Sequence, residues 1–163
     1  MHPQALAYFA AHLPPDANTV LDFGSRNING TVRTLVPLAT RYVGVDIADG
    51  AGVDICGDAG RVRVRGRFDV VVCAEVFEHA PNTECLAMVG NAWRHLRKGG
   101  TFIATMAGPG RAPHSAVDGG PVRSDEFYRN VDVDLLKAWL ENVGFTDIKV
   151  DHSGDDLRCT AVK

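Results

Sequence analysis

Acidic residues placed at the ends of apolar runs give this sequence chemistry to do. Asp22 and Gly24 close "TVLDFG", Asp46 closes "RYVGVD", Asp58 and Ala59 follow "GVDICG", and Glu75, Glu78 and His79 follow "RFDVVVCA". In an open α/β sheet, ligands bind at the carboxyl ends of the strands, so four successive polar strand ends predict a binding crevice there. Asp46 lies 24 residues after Asp22. A carboxylate at that place can accept both hydrogen bonds of a ribose diol. Asp58 can accept from the exocyclic amine of adenine while a backbone N–H at Ala59 donates to a ring nitrogen, and Ile47 can pack on the ring face.

The turn Gly24-Ser25-Arg26-Asn27-Ile28-Asn29-Gly30 narrows the cofactor. A dinucleotide fingerprint, G-x-G-x-x-G, lets backbone and helix N-terminus approach a pyrophosphate. Counted from Gly24, this chain has Arg26 and Asn29 at the second and third glycine positions. An adenosine cofactor without phosphates needs no such cradle. S-adenosylmethionine (SAM) is one: its ammonium calls for carbonyls and acids, and its carboxylate for a donor that Arg26 can supply. Asn27, Asn29 and Gly30 meet the turn's need for residues that tolerate positive φ.

These residues need elements to hold them. Five apolar runs, the four above and "GTFIATMA", alternate with helical patterns, which predicts a doubly wound parallel sheet with helices on both faces, a three-layer α/β/α arrangement. The spacing predicts a helix over residues 28–38, ending near Pro37. A second is capped by Asn82, with Leu86, Val89, Trp93 and Leu96 on one face and Gly99-Gly100 as its stop. A third starts near Asp132 and ends at Gly144, with Leu135, Leu136, Trp139, Leu140 and Val143 inward. The last two strand-like runs, "FTDIKVDHS" and "DLRCTAVK", are joined too tightly for a parallel crossover and must pair antiparallel. That makes seven strands, mostly parallel. The long irregular segment 108–131 reads as a substrate lid, and it carries His114 in "GPGRAPHSAVDGG". Tyr128, Arg129 and Asn130 behind it either contact an acceptor or pin the loop.

Composition bounds the rest. The 163 residues are 45% hydrophobic and 23% charged with net charge −3, which suits a single domain and supplies no basic field to recruit nucleic acid. The arginines of "RVRVRGR" are read as a solvated edge rather than a phosphate track. "MHPQALAYFAAHLPPD" lacks a basic leader and has Leu6, Phe9, Ala10 and Leu13 at helical spacing, so it reads as a surface helix and not a signal peptide. No apolar run has membrane-spanning length. The scattered Cys56, Cys73, Cys85 and Cys159 are expected as reduced, mostly buried thiols of a cytoplasmic protein.

The ordered series "VLDFGSRNING", "YVGVDI", "GVDICGDA", "FDVVVCAEVFEHA" and "LRKGGTFIATMAG" resembles the motifs of class I SAM-dependent methyltransferases. The resemblance covers Val20 to Gly108 and departs at Arg26, where the family has glycine, and at "GRVRVRGR", which is short for the family's intervening helix. It implies SAM as cofactor, held by Asp22, Gly24, Ser25, Arg26, Gly30, Asp46, Ile47, Asp58, Ala59 and Glu75. "AEVFEHA" is similar to a subgroup that methylates small aromatic or quinone-like acceptors, in which E-x-x-E-H is associated with a divalent cation. Glu75, Glu78 and His79 match that arrangement, and would be its ligands. The resulting expectation is methyl transfer to oxygen or nitrogen of a small molecule, with His79 and His114 as candidate bases. An NAD-dependent oxidoreductase and a non-catalytic cofactor-binding module are the alternatives.

Overall fold

The valines of "FDVVVCA" explain the architecture: only a strand covered on both faces can use them all. In the computed structural model, which describes residues 2–163, that segment is strand β4 (Phe68–Ala74), flanked by β1 (Thr19–Phe23) and β5 (Leu96–Ala107). Beyond β1 lie β2 (Arg41–Asp46) and the two-residue β3 (Ile55–Cys56). Beyond β5 lie β7 (Asp156–Val162) and β6 (Thr146–Ser153). The seven strands run in the order β3-β2-β1-β4-β5-β7-β6. The first five pair parallel; β7 is antiparallel to both β5 and β6. The expected seven-stranded, mostly parallel sheet with a terminal antiparallel pair is thus the observed one.

Alternate residues of the central strands feed two cores. Leu21, Phe23, Val71, Cys73, Phe102 and Ala104 face α2 (Asn82–His95) and α3 (Val133–Val143). Val20, Val70, Val72 and Ile103 face α1 (Pro3–His12) through Tyr8 and Phe9. The period-2 alternation of a pleated strand therefore sorts the apolar side chains into the two outer layers.

Several local expectations change. The helix expected over residues 28–38 shrinks to a single 3-10 turn, Val32–Leu35. Gly30 at φ +136° and extended Thr31 consume the residues before it, and Pro37 disfavours helix at Val36. In α1 the buried residues are Ala5, Tyr8 and Phe9; of the expected stripe Phe9 alone is fully buried, Leu6 and Leu13 are half-buried and Ala10 is exposed. Helix α2 is entered from Pro81 rather than capped by Asn82. It passes at His95 straight into β5, so Gly99 and Gly100 lie in a bulge where β5 pairing jumps from Leu96 to Thr101. Helix α3 matches its expectation: Asp132 Oδ1 accepts from the backbone of Asp134 and Leu135, and Gly144 closes it at φ +103°. Segment 108–131 has no helix or strand, and residues 57–67 contain no helix. Cys73, Cys85 and Cys159 are buried and Cys56 is exposed, all four as free thiols. No helix among the described residues is long and apolar enough to cross a membrane.

Candidate functional site

A cavity of about 980 Å³ opens at the carboxyl ends of β1, β2 and β4, roofed by the loop after β5. Asp22, Gly24, Ser25, Arg26, Gly30, Asp46, Ile47, Asp58, Ala59, Glu75, His79 and His114 all line it. Of the site residues expected from sequence, Glu78 alone does not. It is wholly buried behind the wall.

One end of the cavity is built from satisfied groups. Gly24 sits at φ +80°, and a Cβ there would lie 2.2 Å from a Val76 methyl, so the turn requires glycine. The N–H groups of Gly24 and Ser25 both donate to the carbonyl of Val45, tying the turn to β2. Asp46 Oδ2 accepts from the backbone N–H of Arg26 (3.1 Å) and Oδ1 from that of Ala48 (3.0 Å). Asp58 Oδ1 accepts from Gly60 N–H at 2.7 Å, and its other oxygen pairs with Arg61. Each oxygen keeps a lone pair for a ligand. Ile47 is 82% exposed beside them, an apolar side chain with no protein cover.

Arg26 turns away from the solvent. Its stem lies against Gly50, and Nη2 donates to the carbonyl of Ala116 at 3.4 Å, linking the cofactor-type turn to the roof loop. Its Nε is buried without a partner.

The opposite end holds buried and incompletely partnered acids. Asp22 is 3% exposed; Oδ2 accepts from Tyr42 OH at 2.6 Å and Oδ1 has no partner. Burial is the main cause that lifts its pKa to about 7, against the lowering effect of the Tyr42 hydrogen bond. Glu75 occupies the left-handed region at φ +57°, a sparsely populated conformation for a residue with a Cβ. Its burial works to raise the pKa, but His2, 3.6 Å away, and Thr105 hold it below the ordinary carboxylate value. Glu75 Oε1 is without a partner, as is Ser25 Oγ.

Behind Glu75 a second cluster forms. Glu78 has neither carboxylate oxygen partnered, and His79 Nδ1 is likewise alone. Burial, then the charge of Glu75, pushes the Glu78 carboxyl up to about 8. Burial, then His114, pushes the His79 imidazole down to about 4. The His79 ring meets those of His114 (5.1 Å) and Tyr128 (5.5 Å) edge-on. The ligand set expected from sequence, Glu75, Glu78 and His79, is not assembled. Among the described residues the metal-capable group is Glu78, His79 and His114, with Glu75 outside it. The reason is local: a left-handed residue followed by one 3-10 turn (Phe77–His79) does not stack positions three apart as an α-helix does.

Tyr128, Arg129 and Asn130 do not line the cavity; they pin the loop. Arg129 N–H donates to the Glu78 carbonyl, and Asn130 Nδ2 donates to the carbonyls of Gly108 and Arg111. Sequence reasoning missed His2, Met88, Arg111 and the stretches 112–113 and 119–121 as lining residues. For the loop residues among them, only the length of the segment after the fifth strand was a signal.

A family model described as a methyltransferase domain matches residues 3–150. Comparison with curated proteins finds no match. Among solved structures, Burkholderia thailandensis 1,6-didemethyltoxoflavin-N1-methyltransferase, bound to 1,6-didemethyltoxoflavin and S-adenosylhomocysteine, superposes with a TM-score of 0.75 at 18% identity. The match covers 99% of this chain and 77% of that one. A SAM-dependent methyltransferase from Archaeoglobus fulgidus gives 0.69 at 16% identity, covering 98% and 90%. Human N-acetylserotonin methyltransferase in complex with SAM gives 0.66 at 13% identity, covering 99% and 52%. The chain thus spans about half the length of that last protein, as it does of several other matched structures.

Proposed function

The chain belongs to the family of methyltransferase domains, and from that premise we propose that it transfers the methyl group of SAM to an oxygen or nitrogen of a small-molecule acceptor. One observation carries the reading. Asp22 Oδ1, Ser25 Oγ, Arg26 Nε and Glu75 Oε1 are all buried, all unpartnered, and all on residues lining one cavity. Buried polar groups in a folded protein are normally paired. A ligand that brings an ammonium and a carboxylate to this place resolves the deficit; a pyrophosphate would add anions among the acids.

In this reading Asp46 accepts the ribose hydroxyls, Asp58 and Ala59 meet the adenine edge, and Ile47 is covered by the ring face. Gly24 and Gly30 let the backbone approach. Asp22, Ser25 and Glu75 face the ammonium end, and Arg26 Nε donates to the carboxylate. Bound there, SAM supplies an electrophilic methyl group. The protein's contribution is to align an acceptor with it and exclude water, which the loop over the cavity serves. His79 and His114 stand on the cavity wall where an acceptor proton can be taken up. The structural neighbour bound to 1,6-didemethyltoxoflavin supports the small-molecule class.

Calorimetry with SAM on the wild type and on Asp46→Ala tests this. Wild type is expected to bind and the variant to bind far more weakly, while NADH gives no heat. A well-folded wild type that ignores SAM would falsify the reading; equal affinity in the variant would remove the ribose assignment alone.

A further inference from the structure

The disagreement between the expected and the observed acid–histidine cluster has chemical content. Two imidazoles and one carboxylate converge from two segments: Glu78 and His79 from the 3-10 turn after β4, and His114 from the roof loop. One ligand atom from each lies within 4.8 Å of the others, and His114 Nε2 is 3.8 Å from Glu78 Oε1. Glu78 is wholly buried with both carboxylate oxygens unpartnered, and Nδ1 of the adjacent residue His79 is unpartnered as well. Three ligand-capable atoms, one from each residue, thus lie close together.

The fourth relevant contact is the Ala112 carbonyl, 3.3 Å from His114 Nδ1. A proton on Nδ1 donated to that carbonyl leaves the Nε2 lone pair directed toward Glu78. This is the outer hydrogen bond that orients metal-binding histidines. Because His79 and His114 also line the cavity, an ion held here keeps an open side toward solvent or acceptor. A two-imidazole, one-carboxylate set with an open position suits zinc and other first-row transition metals; magnesium prefers oxygen ligands.

We propose that Glu78, His79 and His114 form a binding site for a divalent transition-metal ion, completed when the roof loop brings His114 against the 3-10 turn, with Glu75 taking no part. Ligand atoms at about 2 Å from an ion stand roughly 3–4 Å apart, a range in which the 3.8 Å separation of His114 Nε2 and Glu78 Oε1 already falls. Such an ion occupies the imidazole lone pairs that proton uptake needs. Metal loading and base catalysis by these two rings therefore exclude each other in one molecule.

The test is made without SAM, so its failure and that of the methyl-transfer reading are separable. Metal-free protein is titrated with cobalt(II) and followed by visible absorption, then back-titrated with zinc. The expected result is one ion per chain with the intense bands of a four- or five-coordinate site, bleached by zinc. His114→Ala, in the loop and away from the core, weakens binding by about 100-fold while thermal unfolding stays at the wild-type temperature. Glu75→Gln retains wild-type affinity. Absence of the bands in wild type, wild-type affinity in His114→Ala, or loss of binding in Glu75→Gln would each overturn the proposal.

Discussion

The two ends of the cavity are prepared in opposite ways. At the end formed by Asp46 and Asp58 every carboxylate is already engaged by nearby groups, chiefly backbone N–H donors, and the neighbouring side chain Ile47 is open to water. At the end formed by Asp22 and Glu75, with Glu78 behind the wall, the carboxyl groups are buried and partly unpartnered, and those of Asp22 and Glu78 hold their protons well above the ordinary range. The first arrangement holds directional acceptors in place for neutral hydroxyl and amine donors. The second stores electrostatic demand that only a charged partner, a proton or an ion relieves. A ligand with a neutral nucleoside at one end and ions at the other matches that gradient.

The contrast predicts different kinds of damage at each end. Asp46→Ala should do the most: losing two charge-assisted hydrogen bonds of roughly 1.5 kcal/mol each weakens SAM by about 100-fold in calorimetry. An affinity within a factor of a few would erase the distinction between the ends. Asp22→Asn should act on stability. The folded carboxyl keeps its proton to about pH 7, while its ordinary pKa is 3.8. Unfolding therefore releases a proton between those values, and wild-type stability falls as pH rises from about 4 to 7, then levels. The amide of Asp22→Asn cannot ionise, so the variant gains on wild type across that window, by on the order of 3 kcal/mol at pH 8 and by little at pH 4. Denaturant melts of ligand-free protein at the two pH values measure this, and a pH-independent difference would mean Asp22 is not stressed.

Glu75→Gln removes the charge offered to the cofactor ammonium and is expected to raise the SAM dissociation constant about tenfold. S-adenosylhomocysteine, which keeps that ammonium, should lose as much. Arg26→Ala gives the smallest change, about fivefold, because it removes one Nε donor to the cofactor carboxylate together with the long Nη2 link to Ala116. Unchanged affinity would remove the carboxylate assignment of Arg26.

What the sequence disclosed follows the same line. The strands and their terminal acids were legible because hydrophobic runs and the residues that end them are local signals; Asp22, Asp46, Asp58 and Glu75 were found that way and all line the cavity. The match of residues 3–150 bears out the family suggested by those motifs. The set Glu75, Glu78 and His79 came from the E-x-x-E-H resemblance alone; here Glu75 is left-handed and the grouped residues are Glu78, His79 and His114. His114 comes to His79 across 35 residues of chain by loop closure, a contact with no periodicity to betray it. The overlong helix after β1 failed for a related reason: the turn residues that serve the cavity displaced the residues that would have begun it.

The backbone at Glu75 sets stability against the site. A residue with a Cβ held at φ +57° costs folding energy that glycine or asparagine at the same place would not. Glycine in place of Glu75 would release that strain and remove the acid from the cavity in the same step.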